Sequence, residues 1–268
     1  MSSATETVLK KLDERLRALA PAGVALAYSG GVDSALLLAA LAKIFREKPF
    51  PLLALTMRSA LSPQGANGVP DDIPHETIDV APLDDPDIRN NPRERCYFCK
   101  RRFFGLFKKI AGARGLKILM DGTNADDLRD FRPGLRAARE LGVVSPLAET
   151  GICKAEIRAA ARALRLPEAD KPSAPCLATR FPTGAELTES ALRAVDCGEN
   201  FLRKFLPSDA PLRLRVHGDT ARIETLPEHF QKLVDARTEI VARLRELGFK
   251  RATLDLDGFH SGGMNAGA

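Results

Sequence analysis

Short apolar runs alternate with helical periodicity through the first two-thirds of this chain. The apolar runs predict strands, which lie at Val24–Tyr28, Leu52–Met57, Glu76–Val80, Lys117–Asp121 and Val143–Pro146. A period near 3.6 residues predicts helices at Asp33–Arg46, Cys99–Arg114, Leu135–Leu141 and Lys154–Leu166. This alternation is typical of a parallel sheet with helices on both faces. The Gly- and Pro-rich stretch between Ser59 and His75 is predicted to be a loop.

The pattern changes after Pro172. Helices are predicted at Leu187–Phe205 and Pro227–Leu247, and strands at Leu212–Val216, Ala221–Thr225 and Thr253–Leu256, the first two paired around His217-Gly218-Asp219. Runs of helix, hairpin, helix and strand indicate a small α+β domain. We therefore predict an α/β domain over residues 1–170 and an α+β domain over residues 171–268, with a linker at Pro167–Pro175.

Composition narrows the class of protein. The chain has 268 residues and a net charge of +5. No apolar run approaches the roughly 20 residues needed to cross a bilayer, and Met1–Lys11 lacks an apolar signal core, so we expect a cytoplasmic protein. The charge permits nucleic acid or small phosphorylated ligands, but it is also common on solvated surfaces and decides nothing alone.

The stretch Ser29-Gly30-Gly31-Val32-Asp33-Ser34 joins the first predicted strand to the first predicted helix. Adjacent glycines let backbone N–H groups approach an anion, the serine hydroxyls add donors, and the helix N-terminus favours negative charge. The competing interpretation is a turn that needs small residues but binds no ligand. Six residues that match a phosphate-binding turn, placed between a strand and a helix, disfavour that interpretation. The stretch lacks the Gly-Lys-Ser/Thr ending of a Walker loop and resembles instead the SGGxDS signature of the PP-loop ATP pyrophosphatase superfamily.

Three cysteines form a second candidate site. Cys96 and Cys99 form a CxxC pair at the start of a basic helix, and Cys176 lies far downstream. Three thiolates hold a [4Fe–4S] cluster with one iron open, whereas structural zinc takes four ligands, so the count favours a cluster. Helical cysteines that pack as small apolar residues are the alternative. We interpret Cys153 and Cys197 as core residues, with an exposed thiol at Cys197 as the alternative.

Later segments extend the resemblance over nearly the whole chain. They are Asp130–Gly134, Cys176–Gly184, Arg213–Glu224 and Thr253–Phe259, the last continuing through Met264-Asn265. With the SGGxDS turn they resemble, in order, the LarE family of ATP-dependent sulfur transferases. The resemblance implies sulfur insertion into pyridinium-3,5-biscarboxylic acid mononucleotide, during synthesis of the nickel-pincer nucleotide cofactor. It also implies ATP and Mg²⁺ as cofactors, and a [4Fe–4S] cluster on Cys96, Cys99 and Cys176 in members with three cysteines.

The expected chemistry starts with adenylylation of a ring carboxylate, after which a sulfur nucleophile displaces AMP. The sulfur comes either from a sulfide on the cluster or from Cys176 itself, and both routes stay open. Asp33 is the expected direct or water-bridged Mg²⁺ ligand. Lys154 is expected to neutralise phosphate charge, with an ordinary surface lysine as the alternative. The residues expected to bind ATP are Ser29, Gly30, Gly31, Asp33, Ser34, Thr56, Ser59, Gly122 and Thr123, with Asp127 and Asp130 as further candidates.

The substrate is expected to bind to the second domain. Arg213 and Arg215 are two apart on a strand, so they project from one face and suit a phosphate, while Leu212, Leu214 and Val216 are expected to face the core. Solvated arginines are the alternative. Thr179 and Arg180 are expected to hold the substrate carboxylate near Cys176. Glu199 is a candidate ribose ligand, with an ordinary surface residue as the alternative.

Other function classes remain open at this point. A cluster-dependent tRNA thiolase fits the positive charge, but the chain has two Tyr and no Trp for base stacking, so nucleic acid is the less favoured partner. An amidating ligase such as NAD synthetase needs no cysteine triad, and a non-catalytic metal- and nucleotide-binding module needs no turnover. The loop between Ser59 and His75 departs from the family, which usually has a helix there. That departure leaves the adenine pocket and any homo-oligomer contacts undetermined.

Overall fold

The computed structural model describes residues 3–63, 68–129 and 133–260, and these residues fall into two compact units. The first unit consists of Met1–Arg58, Gly65–Val80 and Glu94–Lys171. The second consists of Ser59–Gln64, Ala81–Arg93 and Pro172–Ala268.

Helices and strands alternate through the first unit, as the sequence predicts. In chain order the α-helices of the described residues are α1 Ser3–Leu19, α2 Val32–Glu47, α3 Pro86–Arg89, α4 Arg95–Ala113, α5 Pro133–Glu140, α6 Pro146–Glu149, α7 Lys154–Ala163, α8 Glu189–Leu202, α9 Phe230–Asp235 and α10 Arg237–Glu246. The strands are β1 Val24–Ala27, β2 Leu52–Arg58, β3 His75–Asp79, β4 Ile118–Met120, β5 Arg213–His217, β6 Thr220–Glu224 and β7 Arg251–Leu254.

The first unit is built on a parallel sheet with the strand order β3-β2-β1-β4. Alternate residues of β1 belong to different apolar clusters. Val24 and Leu26 pack with side chains of α1, α2 and α7, whereas Ala25 packs with Phe104 and Phe107 of α4. Because successive strand residues point to opposite faces, helices cover both faces of the sheet. The predicted α/β class is confirmed.

The predicted strand at Val143–Pro146 is wrong. Only Val144 extends the sheet, through an isolated parallel bridge to Met120. The Val144 N–H donates to the Leu119 carbonyl, and the Asp121 N–H donates to the Val144 carbonyl. Pro146 has no N–H to continue this ladder and instead begins α6, because its fixed φ suits the first turn of a helix.

Helix α1 covers the sheet with a stripe of residues spaced three or four apart. Val8, Leu12, Leu16 and Leu19 are all buried, and Leu12 and Leu16 are completely so. Burial of each leucine is worth about 1.5–3 kcal/mol relative to exposure. The stripe is visible in the sequence as an i, i+4, i+8 pattern, although the sequence analysis did not assign this helix.

The second unit contains a small mixed sheet with the order β5-β6-β7, which confirms the predicted α+β part. Strands β5 and β6 form an antiparallel hairpin, and β7 runs parallel to β6. Gly198 lets α8 lie close to β5, because a Cβ there would be 2.6 Å from the Leu214 side chain. The helix predicted at Pro227–Leu247 is interrupted at Ala236, which caps both α9 and α10.

The loop predicted between Ser59 and His75 contains no helix in its described part, residues 59–63 and 68–74. Within the residues that the structure describes, no helix is long and apolar enough to span a membrane.

Candidate nucleotide and sulfur-transfer sites

The turn after β1 is held by hydrogen bonds among its small residues. Gly30 has a φ of +72°, in the left-handed region where glycine is favoured. Ser34 is buried, and its hydroxyl donates to the Gly31 carbonyl at 3.0 Å and lies 3.2 Å from the Ser29 hydroxyl. The Gly31 N–H is directed at the Ser29 hydroxyl. The turn is therefore ordered at the start of α2, whose first N–H groups have no partner within the helix.

Asp33, in the first turn of α2, makes a direct ion pair with Lys154. Lys154 Nζ lies 2.6 Å from Asp33 Oδ2, and the Asn124 side-chain amide lies 3.5 Å from Asp33 Oδ1. Lys154 begins α7, and its backbone N–H donates to Asp126. Residues 121 positions apart therefore place a carboxylate and an ammonium together at the helix N-terminus. This arrangement suits a phosphate and its metal ion.

The segment after β4 lies against the same turn. A Cβ on Gly122 would be 3.0 Å from the Ser34 backbone nitrogen and 3.2 Å from the Asp33 Cβ. The buried Asp121 accepts hydrogen bonds from the Thr123 N–H, the Thr123 hydroxyl and the Ser145 hydroxyl. The carboxyl ends of the adjacent strands β1 and β4 therefore meet, which is where open parallel sheets bind ligands.

The remaining predicted nucleotide ligands are distributed as follows. Thr56, near the end of β2, has its hydroxyl 2.9 Å from the His75 ring. Asp127 accepts a hydrogen bond from the Asn124 N–H in the first unit. Ser59 belongs to the second unit, where its hydroxyl lies 3.2 Å from that of Ser62. Asp130 lies outside the described residues.

The CxxC pair lies at the start of a helix, as predicted, although α4 begins at Arg95, four positions earlier than the predicted boundary at Cys99. Cys96 is exposed, Cys99 is half-buried, and both belong to the first unit. An i, i+3 spacing places them on one side of the helix. Among the described residues, no group of three or more Cys, His, Asp or Glu side chains is arranged to hold a metal ion. The pair can therefore supply two thiolates, and any further ligand must come from elsewhere.

Cys153 and Cys197 are half-buried, so their assignment to the core is wrong. Cys153 instead caps α7, where its side chain accepts from the backbone N–H of Glu156. Helix N-caps need an acceptor side chain with access to the first turn, and that access keeps the residue partly exposed.

Cys176 lies in the second unit, at the start of a 3-10 turn over Leu177–Arg180. Its carbonyl accepts from the Thr179 N–H at 3.0 Å and from the Thr179 hydroxyl at 2.8 Å. The Leu177 N–H donates to the Leu61 carbonyl. These bonds fix the peptide group that follows the half-buried Cys176.

Arg180 and Glu199 form a buried, two-pronged ion pair. The Arg180 Nε and one terminal nitrogen each lie 2.9 Å from a Glu199 oxygen, and the side chains are 1% and 12% exposed. The other terminal nitrogen of Arg180 donates to the Pro175 and Cys176 carbonyls. Glu199 also accepts from the Leu214 N–H. The interpretation of Glu199 as a surface residue is wrong, and the pair connects α8 and β5 to the Cys176 turn.

Arg213 and Arg215 are buried, which excludes solvated arginines. Arg213 donates to the carbonyls of Leu212 and Ser173. Arg215 pairs with the buried Glu224 at 2.9 Å and donates to the Thr179 and His260 carbonyls. Val216, expected in the core, is half-exposed because the strand reaches the hairpin turn there.

Positive charge outweighs negative charge around Arg213 in the second unit. Arg203, which the sequence analysis did not select, is half-buried and donates to the Ala210 carbonyl, and burial lowers its pKa. Burial, and secondly the charge of Arg180, lower the pKa of Arg213 to about 10. Three arginines and one glutamate therefore act on Arg213, and an anion bound there would relieve the repulsion. The arginines are Arg180, Arg203 and Arg215, and the glutamate is Glu199.

Comparison with known proteins gives relatives that span both units. No protein-family model matches the chain. An uncharacterized protein of Synechocystis is 38% identical over 245 residues, covering 90% of this chain and 91% of the relative. An uncharacterized protein of Methanocaldococcus jannaschii is 30% identical over 238 residues, covering 89% and 91%.

A third relative carries a functional name. It is the pyridinium-3,5-bisthiocarboxylic acid mononucleotide synthase of Lactiplantibacillus plantarum, which is 33% identical over 258 residues and covers 90% of this chain and 88% of the relative. An α/β chain of two units is thus similar to a synthase over almost its whole length. The chain belongs to the LarE family.

Proposed function

We propose that this protein is an ATP-dependent sulfur transferase that acts on pyridinium-3,5-biscarboxylic acid mononucleotide. The similarity to the named synthase over 90% of the chain is the observation that carries the proposal. It is supported by the first unit, where a phosphate-type turn, a carboxylate and an ammonium meet.

In this proposal the first unit activates the substrate. Backbone N–H groups of the turn around Gly30 and Gly31 bind phosphate oxygens, and Asp33 binds Mg²⁺ directly or through water. A ring carboxylate oxygen of the substrate attacks the α-phosphorus of ATP, and pyrophosphate leaves. Lys154 exchanges part of its contact with Asp33 for the negative charge that develops on the phosphates. The product of this step is an acyl adenylate.

The second unit supplies the site for the mononucleotide. Arg213 has three further arginines and one glutamate among its charged neighbours, and this local excess of positive charge suits the substrate phosphate. The Arg180 guanidinium already donates to Glu199, to the Pro175 carbonyl and to the Thr179 hydroxyl. Arg180 and Thr179 therefore contribute to carboxylate binding indirectly, because they fix the shape of the Cys176 turn. A sulfur nucleophile then attacks the activated carbonyl carbon, AMP leaves, and a thiocarboxylate remains.

We propose that Cys96, Cys99 and Cys176 share a [4Fe–4S] cluster. The i, i+3 thiols of α4 fit two ligands of such a group, and a third thiolate would leave one iron open. When bound, the cluster would supply a sulfide. Iron and sulfide analysis of anaerobically purified protein, with Cys96→Ala and Cys176→Ala, tests this assignment. Full activity without iron, with dehydroalanine formed at Cys176, would instead establish transfer of the cysteine sulfur.

The function is tested by turnover with purified substrates. Protein, MgATP and the mononucleotide should release AMP and pyrophosphate and convert a substrate carboxylate to a thiocarboxylate, read by mass spectrometry. In a parallel reaction, unmodified tRNA replaces the mononucleotide. ATP cleavage that depends on tRNA, or on ammonia, would contradict the proposal and favour a tRNA thiolase or an amidating ligase.

A further inference from the structure

Lys100 follows the CxxC pair on α4 and extends toward the end of β4. Its Nζ lies 3.7 Å from Asp121 Oδ2, and its side chain is 39% exposed, whereas that of Asp121 is 7% exposed. This distance is longer than a hydrogen bond. The Asp121 oxygens already accept from Thr123 and Ser145. Within the part of the chain that the structure describes, the Lys100 ammonium is therefore attracted by Asp121 without a hydrogen bond to it, and its hydrogens are available for another acceptor.

The route of the Lys100 side chain is set by its neighbours. A Cβ on Gly134, in α5, would lie 2.7 Å from Lys100 Cδ and 3.2 Å from its Cε. On α4 itself, the ammonium lies 5.4 Å from the centre of the Phe104 ring. The aliphatic stem thus occupies the space that the missing side chain of Gly134 leaves, and this path directs the charge toward Asp121.

The end of β4 is part of the nucleotide site described above. Asp121 precedes Gly122, which lies against Asp33 and Ser34. Lys154 reaches the same region from α7 and pairs with Asp33. The first unit therefore brings two ammonium groups to the ends of β1 and β4, from two different helices.

We propose that Lys100 is a second phosphate-binding residue of this site, acting on the polyphosphate of a magnesium nucleoside triphosphate. This inference rests on the proposed function, because it takes the turn around Gly30 as the site of ATP. A triphosphate carries more negative charge than Lys154 and one Mg²⁺ balance, and the Lys100 ammonium, which lies 3.7 Å from Asp121, supplies the remainder. Since Lys100 is adjacent to Cys99 in sequence, the helix that carries the CxxC pair also contributes to the nucleotide site.

Binding of α,β-methylene-ATP with Mg²⁺, measured by calorimetry, tests the inference without turnover. Lys100→Ala should weaken binding about 10- to 100-fold, which is the range for loss of one hydrogen bond to a charged group. Lys100→Arg should recover part of the affinity, because it keeps the charge. Lys109→Ala removes an exposed lysine of the same helix and should bind like the wild type.

A second pair of variants tests whether binding depends on the path of the Lys100 side chain as well as on its charge. Gly134→Ala places a methyl group against the Lys100 stem and should weaken binding, but it should have no effect when Lys100 is already Ala. Additive losses in the double variant would contradict the proposed path of the side chain.

The outcomes distinguish this inference from the proposed function. If the wild type binds the analogue and Lys100→Ala binds equally well, Lys100 has no role in phosphate binding and only this inference fails. If the wild type does not bind the analogue, the assignment of the nucleotide site fails as well. Far-ultraviolet circular dichroism confirms that each variant is folded.

Discussion

Replacing Glu199 with glutamine should destabilise the second unit strongly. Glu199 accepts from both prongs of Arg180 and from the Leu214 N–H, each at 2.9 Å. Glutamine would leave one acceptor and would turn an amide donor toward the guanidinium. Arg180 is 1% exposed, so water cannot replace the lost carboxylate.

The magnitude follows from this burial. Breaking a buried ion pair by removing one partner costs about 3–5 kcal/mol. Glu199 retains 12% exposure, which places the expected loss near the lower end, at about 3 kcal/mol. The free energy of unfolding is measured by urea denaturation. The matched control is Glu186→Gln, because Glu186 lies 3.6 Å from Arg89 in an exposed pair and should cost at most about 1 kcal/mol.

A phosphate titration extends the test to function. Removing one negative charge increases the excess of positive charge around Arg203 and Arg213. Inorganic phosphate at constant ionic strength should therefore stabilise Glu199→Gln more than the wild type, since a ligand of the folded state raises its stability by mass action. A loss equal to that of Glu186→Gln would refute the burial argument. A large loss without any response to phosphate would refute the anion site.

Further predictions concern the first unit. Asp33→Ala should abolish release of AMP and pyrophosphate while it lowers the free energy of unfolding by about 1 kcal/mol or less, because only a partly exposed ion pair is lost; normal turnover would disprove its role. Gly30→Ala should cost about 1–2 kcal/mol in urea denaturation, since its φ is +72°, and a variant as stable as the wild type would exclude strain there. Burial lowers the pKa of His75 from 6.5, so the folded state binds fewer protons and stability should fall as the pH falls through this value; His75→Gln should flatten that pH dependence, and an unchanged slope would contradict it.

Local patterns account for the parts of the fold that the sequence predicts well. The turn from Ser29 to Ser34 needs small residues between a strand and a helix, and the hydrogen bonds among its serines and glycines join residues at most five positions apart. Val143–Pro146 shows the limit of such patterns. Its apolar residues suit a strand, but one bridge at Val144 is all that the proline permits.

The parts of the candidate site that the sequence does not predict depend on contacts between distant segments. Lys154 and Asp33 are individually recognisable, but their ion pair joins residues 121 positions apart. In the sequence, Glu199 resembles a surface residue of an amphipathic helix. In the structure Arg180 packs against it, so Glu199 is buried by a contact that its own polarity does not predict. Arg203 gives no signal because basic residues near helix ends are common.

The burial of these arginines is itself an argument for a ligand. Burial of a guanidinium is costly unless a carboxylate or other acceptors compensate it, and here carbonyl oxygens make up much of what the two glutamates do not supply. Carbonyls satisfy the hydrogens but leave the positive charge uncompensated. A purely structural role would be served as well by neutral side chains. The positive charge around Arg213 thus supports the proposal that this unit binds an anion, and a nucleotide phosphate has the charge and acceptor geometry that such a group of arginines recognises.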